Sequence, residues 1–290
     1  MITETCQLNG QPFHIYRWGD SALPPLLLLH GFPEHGGAWA DLAPRLSDRF
    51  HCVAPDQRGY GHSWSPREVS DYRLSQLVSD MAALADHLGG RVRLLGHDWG
   101  ASVAYGLAMA HPDKVSRLAI VNGVHPAPFQ RELARGGPQS EASQYIDILR
   151  RPGSQDDLSA NGYAKLFRAF SANMDMSWLT PDRRAGYVAA WDAGGGRLET
   201  MLHWYRASPL QVSAPGQPLA DPPRLPLDRM GIACPHLLIW GLNDTALLPQ
   251  STEGLETFAP DLTRVEIADA DHWVIHQQPD RVAQILRDWL

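Results

Sequence analysis

The sequence holds no basic run and no apolar stretch that could cross a bilayer. Its most apolar run, Leu26-Leu27-Leu28-Leu29, falls far short of the roughly 20 residues a spanning helix needs. A net charge of −7 with dispersed Lys and Arg leaves no footprint for nucleic acid or an anionic membrane. Cysteine is scarce: Cys6, Cys52 and Cys234 share no metal-ligand spacing, and an odd count argues against a disulfide framework. Met1 to Thr5 lacks the basic-then-apolar order of a secretory signal. These absences lead to the expectation of a cytoplasmic protein with no metal, organic cofactor, nucleic-acid partner or membrane partner.

The chain does have ample material for a core. At 290 residues and 44% hydrophobic content, punctuated by 25 Gly and 23 Pro, it suits one α/β core plus an insertion. Asn9-Gly10 marks a hairpin before Pro12 to Tyr16. Continuous apolar strands are expected at 25–29, 51–54, 92–95 and 118–121, buried on both faces as in a parallel sheet. Helices are expected at 38–46, around Leu74, Leu77, Val78, Met81 and Leu84, and at 101–110. From about His125 to Arg229 the alternation stops. Helical stretches at 141–149, 162–171, 182–192 and 198–206 run to a tract rich in Pro209, Pro215, Pro218, Pro222, Pro223 and Pro226. Strands resume at 236–240 and 263–267, and a last amphipathic helix carries Val282, Ile285, Leu286 and Trp289. This order gives an α/β fold, a doubly wound and mostly parallel sheet with an inserted helical cap. We divide it into a core of residues 1–124 and 230–290 and a cap of residues 125–229.

One pentapeptide narrows the chemistry. Gly96-His97-Asp98-Trp99-Gly100 lies between an expected strand and an expected helix, the context in which Gly-x-nucleophile-x-Gly forms a sharp turn. Here the central residue is an aspartate. A carboxylate is ionised near neutral pH and can attack a saturated carbon without a base. The product is an ester that water can cleave, whereas a serine attacking the same carbon would leave a stable ether. Asp98 therefore points to opening an epoxide or displacing a halide.

Asp98 needs a partner to activate water against its ester. His272, in Ala270-Asp271-His272-Trp273, follows the last expected strand, and an imidazole takes a proton near neutral pH. Asp244 leaves the strand before it and is the acid that would orient His272; Asn122 and Gly123, at the alternative position, cannot ionise. His30-Gly31-Phe32-Pro33 follows the first apolar strand. Backbone N–H groups of Phe32 and Trp99 would there form an oxyanion hole. Asp56-Gln57-Arg58-Gly59-Tyr60-Gly61 has no phosphate-loop lysine and reads as a structural turn.

The motifs His30-Gly31-Phe32-Pro33-Glu34, Asp56-x-Arg58-Gly59-Tyr60-Gly61, Gly96-His97-Asp98-Trp99-Gly100 and Asp271-His272-Trp273 resemble those of the α/β-hydrolase-fold epoxide hydrolases. The likeness continues into the cap, through Thr180 to Trp191 and His203-Trp204-Tyr205-Arg206. It implies two cap tyrosines that hold the epoxide oxygen and protonate it as the ring opens. Tyr187, seven residues after Thr180, takes the position of one. Counting back from Pro152-Gly153, the other slot holds Ile148, and Tyr145, one turn earlier, is its substitute. Tyr205 shares a stripe with Leu198, Met201 and Leu202 and reads as packing.

The substrate implied is a small apolar electrophile. A haloalkane dehalogenase remains the close alternative, with the Trp99 indole as one halide donor and Trp178 or Trp191 as the other. A fluoroacetate-type dehalogenase fits less well, because Trp99 stands where it would carry a substrate-clamping arginine. A non-catalytic small-molecule binding protein on the same fold is the alternative of another class.

Overall fold

Asn9 and Gly10 both adopt positive φ, at 51° and 76°, and close a hairpin between β1 (Ile2–Leu8) and β2 (Gln11–Trp18). The computed structural model describes residues 1–171 and 173–290. β2 pairs antiparallel with β4 (His51–Pro55). From there the sheet is parallel, through β3 (Pro25–Leu29), β5 (Val92–His97), β6 (Val115–Val121), β7 (His236–Gly241) and β8 (Leu262–Ile267). The spatial order is β1-β2-β4-β3-β5-β6-β7-β8.

Strand β3 shows why these runs are apolar throughout. Leu26 and Leu28 pack into one hydrophobic layer and Leu27 and Leu29 into the other, so neither face meets water. Helices α1 (Leu74–His87) and α2 (Trp99–Ala110) cover one face, with Leu77, Met81, Val103 and Leu107 buried. The short α9 (Val274–Gln277) and the terminal α10 (Pro279–Trp289) pack on the other, burying Val274, Val282 and Leu286. The helix expected at 38–46 is instead two 3-10 segments, Gly36–Ala40 and Ala43–Arg45. Pro44 lacks the N–H that a continuous α-helix would use.

Between β6 and β7 the described residues form no strand. They form α3 (Pro126–Ala134), α4 (Pro138–Ala142), α5 (Tyr145–Arg150), α6 (Ser154–Ser171), α7 (Pro181–Asp192) and α8 (Leu198–Ala207). The single helix expected at 141–149 is two, broken at Ser143 and Gln144. Helix α6 starts earlier than expected and bends where Asn161, Gly162 and Tyr163 take left-handed φ. Helix α7 begins as its sequence suggests, with Pro181 in the first turn and the Thr180 side chain accepting from the Arg183 N–H.

Candidate active site

Asp98 stands at the turn from β5 into α2 with φ 51° and ψ −123°. A non-glycine residue held there is strained, and such strain persists only where the surroundings enforce it. Gly100 is part of that enforcement: a Cβ on it would lie 2.0 Å from the Leu29 carbonyl oxygen. Gly31 is the other close approach, since a Cβ there would meet the Asp98 side chain at 2.2 Å. The loop after β3 can therefore lie against the carboxylate. The Phe32 N–H donates to Asp98 Oδ1 at 2.7 Å, and the Trp99 N–H also bonds the carboxylate. His30 braces this loop from below. Its Nδ1 lies 2.9 Å from the Gly31 carbonyl and its Nε2 accepts from the Gln57 N–H at 3.1 Å, with burial driving its pKa down to about 4.

The other carboxylate oxygen, Oδ2, faces His272 Nε2 at 3.6 Å, beyond hydrogen-bond reach. His272 Nδ1 lies 2.8 Å from Asp244 Oδ2. Asp244 is completely enclosed: the Ala246 and Leu247 N–H groups donate to its Oδ1 and the Asn122 amide donates to Oδ2. Burial opposes a charge on His272, but Asp244, with Asp98 and Glu34, outweighs it and holds the imidazole up at about 9. Burial raises the Asp98 pKa, against the pull of His272, His97 and the two N–H groups. For Asp244, burial is outweighed by His272 and the donors around it, and the net shift is downward.

The structure brings Tyr145 to this group and leaves Tyr187 away from it. A cavity of about 280 Å³ is lined by Asp98, His272, Phe32, Tyr145 and Tyr205, among others. The Tyr145 and Tyr205 rings are 6.3 Å apart, and Tyr205 packs edge-on against Phe32 at 5.2 Å and Trp99 at 5.1 Å. Burial, together with the Asp98 charge, keeps both phenols protonated well above their ordinary pKa. The assignment of Tyr187 to the epoxide oxygen is thus corrected. Its hydroxyl donates to Glu34 Oε1 at 2.6 Å, and its ring lines a separate cavity with His35, Trp178 and His276. The reading of Tyr205 as packing alone is corrected too, because a stripe residue can be buried and still line a cavity. Ile148, in the slot counted back from Pro152, is 50% exposed and cannot face Asp98.

Neither tryptophan expected as the second donor of a halide cradle lines the cavity. The Trp191 indole N–H donates to the Pro33 carbonyl at 2.6 Å, and Trp178 stacks on His276 at 4.0 Å outside the cavity. Among the described residues no three His, Cys, Asp or Glu side chains are grouped to hold a metal ion, and no helix is long and apolar enough to cross a membrane.

The model of the alpha/beta hydrolase fold family matches residues 24–279. The chain belongs to that family. This α/β-hydrolase is 30% identical to the AB hydrolase superfamily protein YfhM of Bacillus subtilis, over 97% of this chain and 95% of that one. It is 27% identical to human epoxide hydrolase 4 over 97% of this chain and 76% of the relative. Among solved structures, a chain from the epoxide hydrolases found in metagenomes of hot environments superposes with a TM-score of 0.89 at 36% identity, covering 99% of this chain and 98% of the other. An epoxide hydrolase of Bacillus megaterium in complex with an inhibitor gives 0.88 at 28% identity, over 98% and 99%.

Four polar residues of this α/β-hydrolase, Glu34, His97, Asn122 and His276, support the site without a role assigned from sequence. Glu34 is wholly buried, and His276 Nε2 lies 2.8 Å from its Oε1, beside Tyr187. Burial opposes its charge, but His276 and His97 outweigh that and hold its pKa well below the usual carboxylate range. His97 reaches Glu34 Oε2 on one side and the His272 carbonyl on the other. Asn122 ties β6 to β7 through Gly241 while donating to Asp244. An acid directly after His-Gly-Phe-Pro was the available signal, since a buried carboxylate there must recruit donors.

Proposed function

We propose that this chain hydrolyses epoxides to vicinal diols through an ester on Asp98. The observation that carries the reading is one cavity in which Asp98 faces a His–Asp pair and two phenols. Similarity to epoxide hydrolases over nearly the whole chain supports it. In this reading residues 125–229 form the cap that supplies both phenols, and residues 1–124 and 230–290 form the core.

Asp98 Oδ1 is engaged by the Phe32 N–H, which leaves Oδ2 to attack a ring carbon. As the new C–O bond forms, the ring C–O bond breaks, and its oxygen takes a proton from Tyr145 or Tyr205. The neutral His272 Nε2 then removes a proton from water, and the hydroxide adds to the Asp98 ester carbon. Negative charge gathers on Oδ1, where the Phe32 and Trp99 N–H groups receive it. Collapse breaks the bond from that carbon to Oδ2, and the imidazolium returns its proton to the departing alcohol. Proton exchange through solvent restores the phenol. The diol keeps the original Oδ2, and Asp98 keeps an oxygen from water.

A single turnover in heavy-oxygen water tests this. The label should enter the peptide carrying Asp98 and be absent from the first diol. Label in the diol with none in Asp98 would mean that water attacks the ring directly, and the ester would be abandoned.

A further inference from the structure

Asp98, Tyr145 and Tyr205 line two cavities rather than one. The first is the space of about 280 Å³ already described. The second, bounded also by Trp99, Ser102 and Phe129, is only about 30 Å³. Residues common to both spaces form the partition between them. The atoms that would hold an epoxide ring are therefore at a waist, with unequal room on either side.

The inequality comes from the side chains. On the roomy side Ala142 and Ala169 leave space between the apolar walls of Phe170, Met174 and Trp273. On the tight side Val124, Phe129, Ile146, Leu210 and Leu247 crowd together. One water needs about 10–15 Å³ on this scale, so the tight side has room for two or three waters, enough for an alkyl group of one or two carbons and too little for an aryl ring. The roomy side approaches the roughly 300 Å³ at which small-molecule sites begin. Asp98 and His272 are an acid–base pair on these walls, and among the described residues no Lys or Arg lines either space. A charged substituent would enter without a partner.

We infer that the substrate is an epoxide with one uncharged, aryl-sized apolar arm on one ring carbon and no more than a one- or two-carbon group on the other. The arm lies against Phe170, Met174 and Trp273, and the small end points to Leu210 and Val124. This inference rests on the hydrolysis proposed above and adds the shape of what is hydrolysed. It makes Leu210 and Val124 specificity-determining through the space they occupy.

The test compares kcat/KM for styrene oxide, trans-β-methylstyrene oxide and trans-stilbene oxide. The first two should turn over within about tenfold of each other. The third should fall by about 100-fold, the cost of forcing an aryl group into a packed wall. Leu210→Ala, and independently Val124→Ala, should restore trans-stilbene oxide more than they change styrene oxide. Ala142→Phe should suppress styrene oxide and spare propylene oxide. Equal turnover of trans-stilbene and styrene oxides by the unaltered protein would overturn the inference while leaving epoxide hydrolysis standing. Failure to form any diol, with no heavy oxygen in Asp98, would instead remove the underlying reaction.

Discussion

His97 Nε2 lies 2.8 Å from the carbonyl oxygen of His272, so the residue before the elbow aspartate fixes the loop that carries the imidazole. Its other nitrogen is 3.2 Å from Glu34 Oε2. The ring therefore ties the buried Glu34 carboxylate to the loop that carries His272. His97→Ala should leave ring opening, which needs Asp98 and the phenols, near its original rate. Ester breakdown should slow by about tenfold, a part of what a placed general base contributes. Rapid-quench measurement of both half-reactions checks this, and equal slowing of the two would refute a role confined to His272.

The two cavity tyrosines and Tyr187 should part company under substitution. Tyr145→Phe and Tyr205→Phe should each slow alkylation of Asp98 by about 10- to 100-fold, because each removes a proton donor at the developing alkoxide. Tyr187→Phe should leave alkylation nearly unchanged. It should destabilise the fold by about 1–3 kcal/mol, since buried Glu34 loses a donor. Pre-steady-state rates paired with thermal melts distinguish the two patterns.

Replacing His272 with Gln should separate ester formation from ester hydrolysis. Asp98 Oδ2 would still attack, but no imidazole would activate water. Intact-protein mass spectrometry should find a stable adduct equal to the mass of the added epoxide. Multiple turnovers at the original rate would exclude His272 as the base.

The pH dependence follows from the raised pKa of His272. An unfolded imidazole titrates near 6.5 and the folded one near 9, with Asp244 its nearest partner. The resulting stabilisation is complete below pH 6.5 and is lost as pH rises through about 9. Thermal midpoints should fall across that window, and the slope should flatten in Asp244→Asn. Catalysis should show a second effect. Esterification removes the Asp98 charge that helps raise His272, so ester breakdown should titrate at a lower pH than the free imidazole does. Single-turnover rates against pH, beside titration of His272 by NMR, measure the gap.

Local pattern announced much of this molecule. The turn at Asp98 is legible because strand, glycine and helix signals are adjacent in sequence; the loop bearing Asp244 follows a buried apolar strand, and the loop bearing His272 follows the more polar strand Leu262–Ile267. The tyrosines were harder. Tyr205 occupies a helical stripe of apolar residues, and periodicity shows that such a residue is buried without showing whether it meets protein or a cavity. Tyr187 was misplaced because its partner, Glu34, is 153 residues away. Pro44, which lacks a backbone N–H, argues against one helix at 38–46. Asn122 carries no charge to mark it in the sequence, yet its amide completes the surroundings of Asp244.

The hydrogen bond from Tyr187 to Glu34 joins α7 to the loop after β3. Swinging α7 outward would take a proton donor from an anion in a dry interior, an expensive move. Helix α7 is thereby bolted to the core at that corner.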